Sequence, residues 1–297
     1  MRINAPAPNA AFSGGAQPAD SGVRRQTNGS VNGRPNRRSG MSWIRVVARD
    51  ASTAAIAPYF RRVMRFREPG TAMSGPIRSD LVFIGPPSPG ARRETARALV
   101  LLVPGLGGTT SGCLALAQAL QARGLNVAAI SYRSFRTTLE QLALELADTV
   151  LSLQIETGAE RVHLVGHSLG GVVIAQALAD GLLAGRVDSV VTIAAPFGGT
   201  RWANLLPVGA VVRALRQGSP QLGRLARAHA PSEVRWLAIT AGSDRIVRGH
   251  RSRPAHAEVE TVEVHGAGHV GVLQNAQVIS QIVSAIIAGP VHDRAVA

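Results

Sequence analysis

Three residue types that together can run acyl transfer occur in this chain in a telling order. The run Arg161-Val-His-Leu-Val-Gly-His-Ser-Leu-Gly-Gly171 sets one hydroxyl, Ser168, among Gly166, Gly170 and Gly171. A serine hydroxyl is a weak nucleophile at neutral pH and needs a base to take its proton. The base in turn needs a group that fixes its tautomer, and the oxygen that gains charge needs donors. His269, in Gly266-Ala-Gly-His-Val-Gly271, and Asp244, in Gly242-Ser-Asp-Arg-Ile-Val247, supply base and acid. Val103-Pro-Gly-Leu-Gly-Gly108 supplies a glycine-rich loop whose Gly105, Gly107 and Gly108 let backbone pass close to a ligand. The backbone N–H groups of Leu106 and Leu169 are the expected donors, each worth roughly 2–4 kcal/mol.

Competing residues fit less well. Of the eight histidines, His163 falls inside an apolar run and His265 lies closer to the end of another. His167 is the position beside Ser168 whose ring the turn itself accommodates, and the remaining four lie in polar or terminal stretches. Asp188 opens an apolar run, which puts it at the wrong end of a strand. Ala194-Ala-Pro-Phe-Gly-Gly-Thr200, another place where an acid would serve, has no carboxylate.

The elements that must position these groups are written around them. Val162 to Val165 reads as a buried strand, and Leu169 to Asp180 as a helix. The glycines between them make a strand–turn–helix elbow that points Ser168 outward at a helix N-terminus, where negative charge is favoured. Further strands are expected at Ala98–Val103, Asn126–Tyr132, Val187–Ala195, Val234–Ala241 and Glu258–Val264, with a short edge strand over Leu81–Ile84. Helices are expected over Ser111–Ala122, from a capping box at Thr137-Thr-Leu-Glu140, and over Val272–Ala288. Alternating strand and helix implies an α/β protein with a mostly parallel sheet of about six strands and helices on both faces. Cys113 is the one cysteine and reads as a small core residue. No stretch reaches the length of a membrane span. No cluster of His, Cys and carboxylates suggests a metal, and the chemistry requires no organic cofactor.

The motifs at 103–108, 166–171, 194–200, 242–247 and 266–273 together resemble the α/β-hydrolase superfamily, and within it compact bacterial lipases and esterases. The resemblance covers about residues 97–290. It implies the order nucleophile Ser168, acid Asp244, base His269, and an oxyanion loop after the first core strand. Pro104 departs from the family's pattern, in which a His often precedes the oxyanion glycine. The resemblance also implies a serine esterase or lipase acting on a medium or long acyl chain. A thioesterase or acyltransferase would use the same three residues, and a binding module on a hydrolase scaffold is the reading from another class.

Charge divides the chain. All 32 basic residues are Arg. Residues 1–67 hold 12 of them against Asp20 and Asp50, a balance of +10, and residues 68–297 hold 20 against 16 acids, a balance of +4. Residues 1–42 read as a disordered Arg-rich leader and 43–96 as an extension whose 43–67 stretch suits a basic amphipathic helix. The catalytic body is expected at 97–290, with a lid-like insertion at 200–232 and a tail at 291–297. The leader lacks aromatic platforms, so no nucleic-acid partner is expected. A lipid or small ester is the expected partner, with contact to a lipid interface, and the oligomeric state is left open. No secretory apolar core follows Met1, and Arg45, Arg49 and Asp50 interrupt one after Met41. The expectation is a cytoplasmic protein, or one targeted or exported through its leader.

Overall fold

A computed structural model describes residues 80–85, 97–107, 110–206, 209–228, 231–255 and 258–288. The leader, the 43–67 stretch, the linker over 86–90, Gly108 and the tail lie outside the described residues.

A seven-stranded sheet organises them: β1 (Asp80–Gly85), β2 (Ala98–Val103), β3 (Asn126–Ser131), β4 (Arg161–His167), β5 (Val187–Ile193), β6 (Arg235–Ala241) and β7 (Glu260–Val264). The spatial order is β1-β3-β2-β4-β5-β6-β7. The six strands from β2 onward are parallel, and β1 pairs antiparallel with β3 at the edge. The expected core of about six strands and the separate edge strand are both present. The inner strands β2 to β6 are largely buried because both faces are covered, and Ala98 to Val103 is buried throughout. By contrast, β7 at the edge is mostly exposed.

One face carries α1 (Leu114–Gln121) and α7 (Ala276–Ile287), whose Leu116, Leu120, Val278 and Ile282 share one buried cluster with Val100 and Leu102. The α2 (Leu139–Thr157) and α3 (Leu169–Ala179) helices pack against one another, with α3 also lying against β4 and β5. The α2 face Leu139, Leu142, Ala143, Leu146, Val150 and Leu153 is buried, as its spacing requires.

Local corrections have local causes. The capping box opening α2 is shifted by one residue: Thr138 is the N-cap, and its hydroxyl accepts from the Gln141 N–H. Gln141 Oε1 accepts in return from the Thr138 N–H and from Thr137 Oγ, while Glu140 instead pairs with Arg224. The helix expected from Val272 is split, because Asn275 Oδ1 accepts from the N–H groups of Gln277 and Val278 and starts α7 afresh. A short 3-10 turn, Gly271–Gln274, precedes it. Likewise Thr110–Cys113 is a 3-10 turn before α1.

The chain runs from β2 outward to β3, then crosses to β4 on the other side of β2 and continues outward to β7. The carboxyl ends of β2 and β4 therefore diverge at the point where the winding direction reverses, which is where open α/β sheets form their crevices. The loop that opens at Pro104, and Ser168, both leave the sheet at this point.

Candidate active site

The elbow is built by close approach. Ser168 takes φ 53 and ψ −120, a conformation that costs a non-glycine residue of order 1–3 kcal/mol. It is held there by its own N–H on the Ile193 carbonyl at 2.9 Å and by the Gly171 N–H on its carbonyl at 3.1 Å. A Cβ on Gly170 would lie 2.1 Å from the Val103 carbonyl oxygen, and one on Gly166 2.6 Å from the Gly171 nitrogen. Neither position tolerates a side chain, because backbone fills the space.

Ser168 meets two residues far away in sequence. His269 Nδ1 lies 2.6 Å from Asp244 Oδ2, and its Nε2 lies 2.9 Å from Ser168 Oγ. The acceptor-only carboxylate assigns the proton to Nδ1, which leaves the Nε2 lone pair facing the hydroxyl. Asp244 Oδ1 accepts from the N–H groups of Ile246 at 2.7 Å and Val247 at 2.8 Å. Asp244 and His269 are 6% and 7% exposed, and Ser168 is partly open to solvent. A buried carboxylate is tolerable when donors satisfy both oxygens, as they do here.

The glycine-rich loop passes directly beside the hydroxyl. A Cβ on Gly105 would stand 3.1 Å from Ser168 Cβ and 3.2 Å from His167 Nδ1. The loop is tied down from β3: the Tyr132 hydroxyl donates to the Pro104 carbonyl, and the Gly107 N–H donates to Ser134 Oγ at 3.0 Å. Gly107 takes φ 94, which suits glycine. Its N–H is committed to Ser134. Leu106 follows Gly105 on this loop, and Leu169 supplies the first helical N–H of α3.

Sequence reasoning missed His167. Its Nε2–H donates to the backbone carbonyl of His269 at 2.8 Å, and the two rings lie 4.9 Å apart, tilted by 46°. Burial, and then the neighbouring His269, push its pKa down to about 3, so the ring is neutral. Tyr132 and Ser134 were also missed as loop anchors; the only signal was their place just after a strand. His163 binds Ser189 Oγ at 2.7 Å, and burial with Arg235 and Arg161 nearby lowers it to about 3. Cys113 is buried, which raises its thiol to about 11 and leaves it a core residue.

The insertion after β5 forms three short helices, α4 (Trp202–Leu205), α5 (Ala210–Ala214) and α6 (Pro220–Arg227). Most of its apolar side chains face inward: Leu206, Val211, Val212, Leu215, Leu222 and Leu225 are buried. Thr200 Oγ1 donates to the Ile246 carbonyl, and Trp202 Nε1 donates to the Arg245 carbonyl at 3.1 Å. These bonds join the insertion to the loop that carries Asp244.

A family model described as the α/β hydrolase fold matches residues 98–227. The structure of a monoacylglycerol lipase from Paleococcus ferrophilus superposes with a TM-score of 0.53 at 18% identity, covering 70% of this chain and 100% of that one. A lipase of Bacillus licheniformis in its mature form gives 0.51 at 14% identity, covering 72% and 95%. A structure from a study of carboxylesterases of Nitrososphaera gargenis gives 0.51 at 15%, covering 73% and 97%. These likenesses are of fold. With the matching model, the sheet order and the serine elbow at its winding reversal, the chain has the α/β-hydrolase fold.

Proposed function

We propose that this protein hydrolyses carboxylic esters through an acyl-enzyme formed on Ser168, with a medium or long acyl group as the favoured substrate. One observation carries the reading: an unbroken hydrogen-bond line from Asp244 through His269 to a hydroxyl held in strained backbone. Ser168 Oγ attacks the ester carbonyl while His269 Nε2 takes its proton. The C=O π electrons move to oxygen, which the N–H groups of Leu106 and Leu169 receive. The tetrahedral intermediate collapses, His269 returns the proton to the departing alcohol, and an acyl-serine remains. Water then attacks the acyl carbon with His269 again as base, releasing the acid and restoring the hydroxyl. Asp244 holds the Nδ1–H tautomer and stabilises the imidazolium formed in each half. The 200–232 insertion, tied to the Asp244 loop through Thr200 and Trp202, is proposed as the cover of this site.

The test is turnover of a chain-length series of nitrophenyl esters, with matched thioesters and alcohol acceptors alongside. Ester hydrolysis should exceed thioester hydrolysis and acyl transfer. Ser168→Ala should lower ester turnover by roughly 10⁴-fold or more with the fold intact. Equal turnover by the variant would remove Ser168 as nucleophile, and a thioester or transfer preference would reassign the reaction.

A further inference from the structure

Unpaired positive charge gathers where the strands' carboxyl ends open into loops. In the described residues that directly follow the six parallel strands (104–107, 132–138, 168, 194–201, 242–255 and 265–275) the one acid is Asp244, buried against His269. Glu233 and Glu258 stand just before β6 and β7. From Ala194 through Ala228 the chain has no Asp or Glu at all. Glu140, in the first turn of α2, is bound by Arg224 at 3.0 Å. Against this, Arg133, Arg136, Arg201, Arg245 and Arg248 are exposed in the same loops and form no ion pair among the described residues. Like charges gathered on one edge repel one another until an anionic partner arrives.

Large apolar side chains are exposed at the same edge. Leu205, on α4, is 57% exposed, and Val270, immediately after His269, is 37% exposed. Leu205 is not surplus from a disordered segment, because Trp202 and Thr200 tie its helix to the Asp244 loop. Scattered apolar residues on a surface need no explanation, but these share their edge with unpaired arginines and the reactive hydroxyl.

We infer that the catalytic edge docks on an anionic lipid surface, with Arg133, Arg136, Arg201, Arg245 and Arg248 facing headgroup phosphates while Leu205 and Val270 enter the acyl layer. The inference rests on the ester-hydrolase reading and names the form in which its substrate is presented. Arginine pairs with phosphate through two parallel N–H donors. A juxtaposed charge of this kind strengthens binding to an anionic membrane by about fivefold per residue. A nucleic acid would satisfy the arginines too, but it would leave Leu205 and Val270 against water or phosphate with nothing gained. A lipid layer uses both features, and it delivers an ester at the edge where Ser168 opens.

The test uses the full chain carrying Ser168→Ala, so that binding is read without turnover. Flotation is measured with vesicles of phosphatidylcholine alone and with vesicles containing about one third phosphatidylglycerol. Binding should favour the anionic vesicles and weaken as salt rises. Arg201→Gln with Arg248→Gln should weaken anionic-vesicle binding roughly tenfold or more. The control pair Arg123→Gln with Arg186→Gln removes the same charge beside β3 and β5 at the opposite edge and should change binding less than about twofold. Leu205→Ser should weaken binding to both vesicle types, since its contribution is not ionic. Thermal melts establish that each variant is folded.

Equal losses from the two arginine pairs, or none from either, would overturn the inference, because binding would then follow net charge or lie elsewhere in the chain. Duplex DNA competing through the Arg201 and Arg248 pair, with Leu205→Ser without effect on vesicles, would overturn it in favour of a nucleic-acid surface. The ester-hydrolase reading fails separately, through absence of turnover of soluble nitrophenyl esters by the unmodified chain.

Discussion

At the scale of residues, the proposed chemistry is a matter of how one imidazole is held. His269 is fixed at its ring by Asp244 and at its backbone by His167. Removing the second contact leaves a buried carbonyl without its donor, at a cost of about 1–3 kcal/mol. His167→Phe keeps an aromatic ring and loses the donor. It should lower kcat by roughly tenfold to a hundredfold with KM nearly unchanged, because a small displacement of a catalytic base weakens the step it serves. His167→Gln, which can present an N–H at a similar reach, should recover part of the loss. A change confined to KM, or no rescue by Gln, would make His167 a packing residue only. The meeting of Ser168, Asp244 and His269 was legible in the sequence because each step of the proposed chemistry demands a particular side-chain type in a particular loop. His167 is not, since nothing local distinguishes a ring that fills the elbow from one that binds a carbonyl 102 residues away.

At the scale of elements, the glycines separate into those that approach backbone and those that only turn. Gly170→Ala would drive a methyl into the Val103 and Pro104 carbonyls, so the elbow cannot close as it stands. The variant should lose ester turnover and melt far below the parent. Gly158 ends α2 at φ 64 with open space around it. Gly158→Ala should cost only about 1–2 kcal/mol, a few degrees in Tm, and keep activity. Similar melting of the two variants would contradict this account of the turn. Periodicity located β2 to β6 and α2 because these are deeply buried and their spacing answers to burial. The ends were shifted where a side chain took over the backbone's hydrogen bonds, as Asn275 and Thr138 do. The apolar residues of the 200–232 insertion are as consistent with a cover as with packing, and only their inward placement shows how many are used against the body.

At the scale of the whole molecule, two buried neutral histidines make stability depend on pH. His163 and His167 have pKa values of about 3 in the folded chain against an ordinary 6.5. Between these values the unfolded chain binds protons that the native chain refuses. Stability is therefore fully present above about pH 6.5 and is lost as pH falls through that window, by up to about 1.4 kcal/mol per pH unit for each ring. Melting temperature should fall from pH 7 to pH 4. Replacing one buried pair together, His163→Phe with Ser189→Ala, should flatten the slope; an unchanged slope would assign it to other groups. The parallel sheet was legible from its alternating elements, whereas the gathering of Arg133, Arg136, Arg201, Arg245 and Arg248 in the loops after the strands was not, because their sequence positions scatter from 133 to 248.

The central claim is that Ser168 is an activated nucleophile, made so by His269. Labelling the folded chain with a fluorophosphonate and mapping the adduct by mass spectrometry tests it most directly. The account predicts one phosphonylated serine, Ser168, with labelling strongly slowed in His269→Ala. A folded chain that stays unlabelled, or an adduct on another serine, would contradict it.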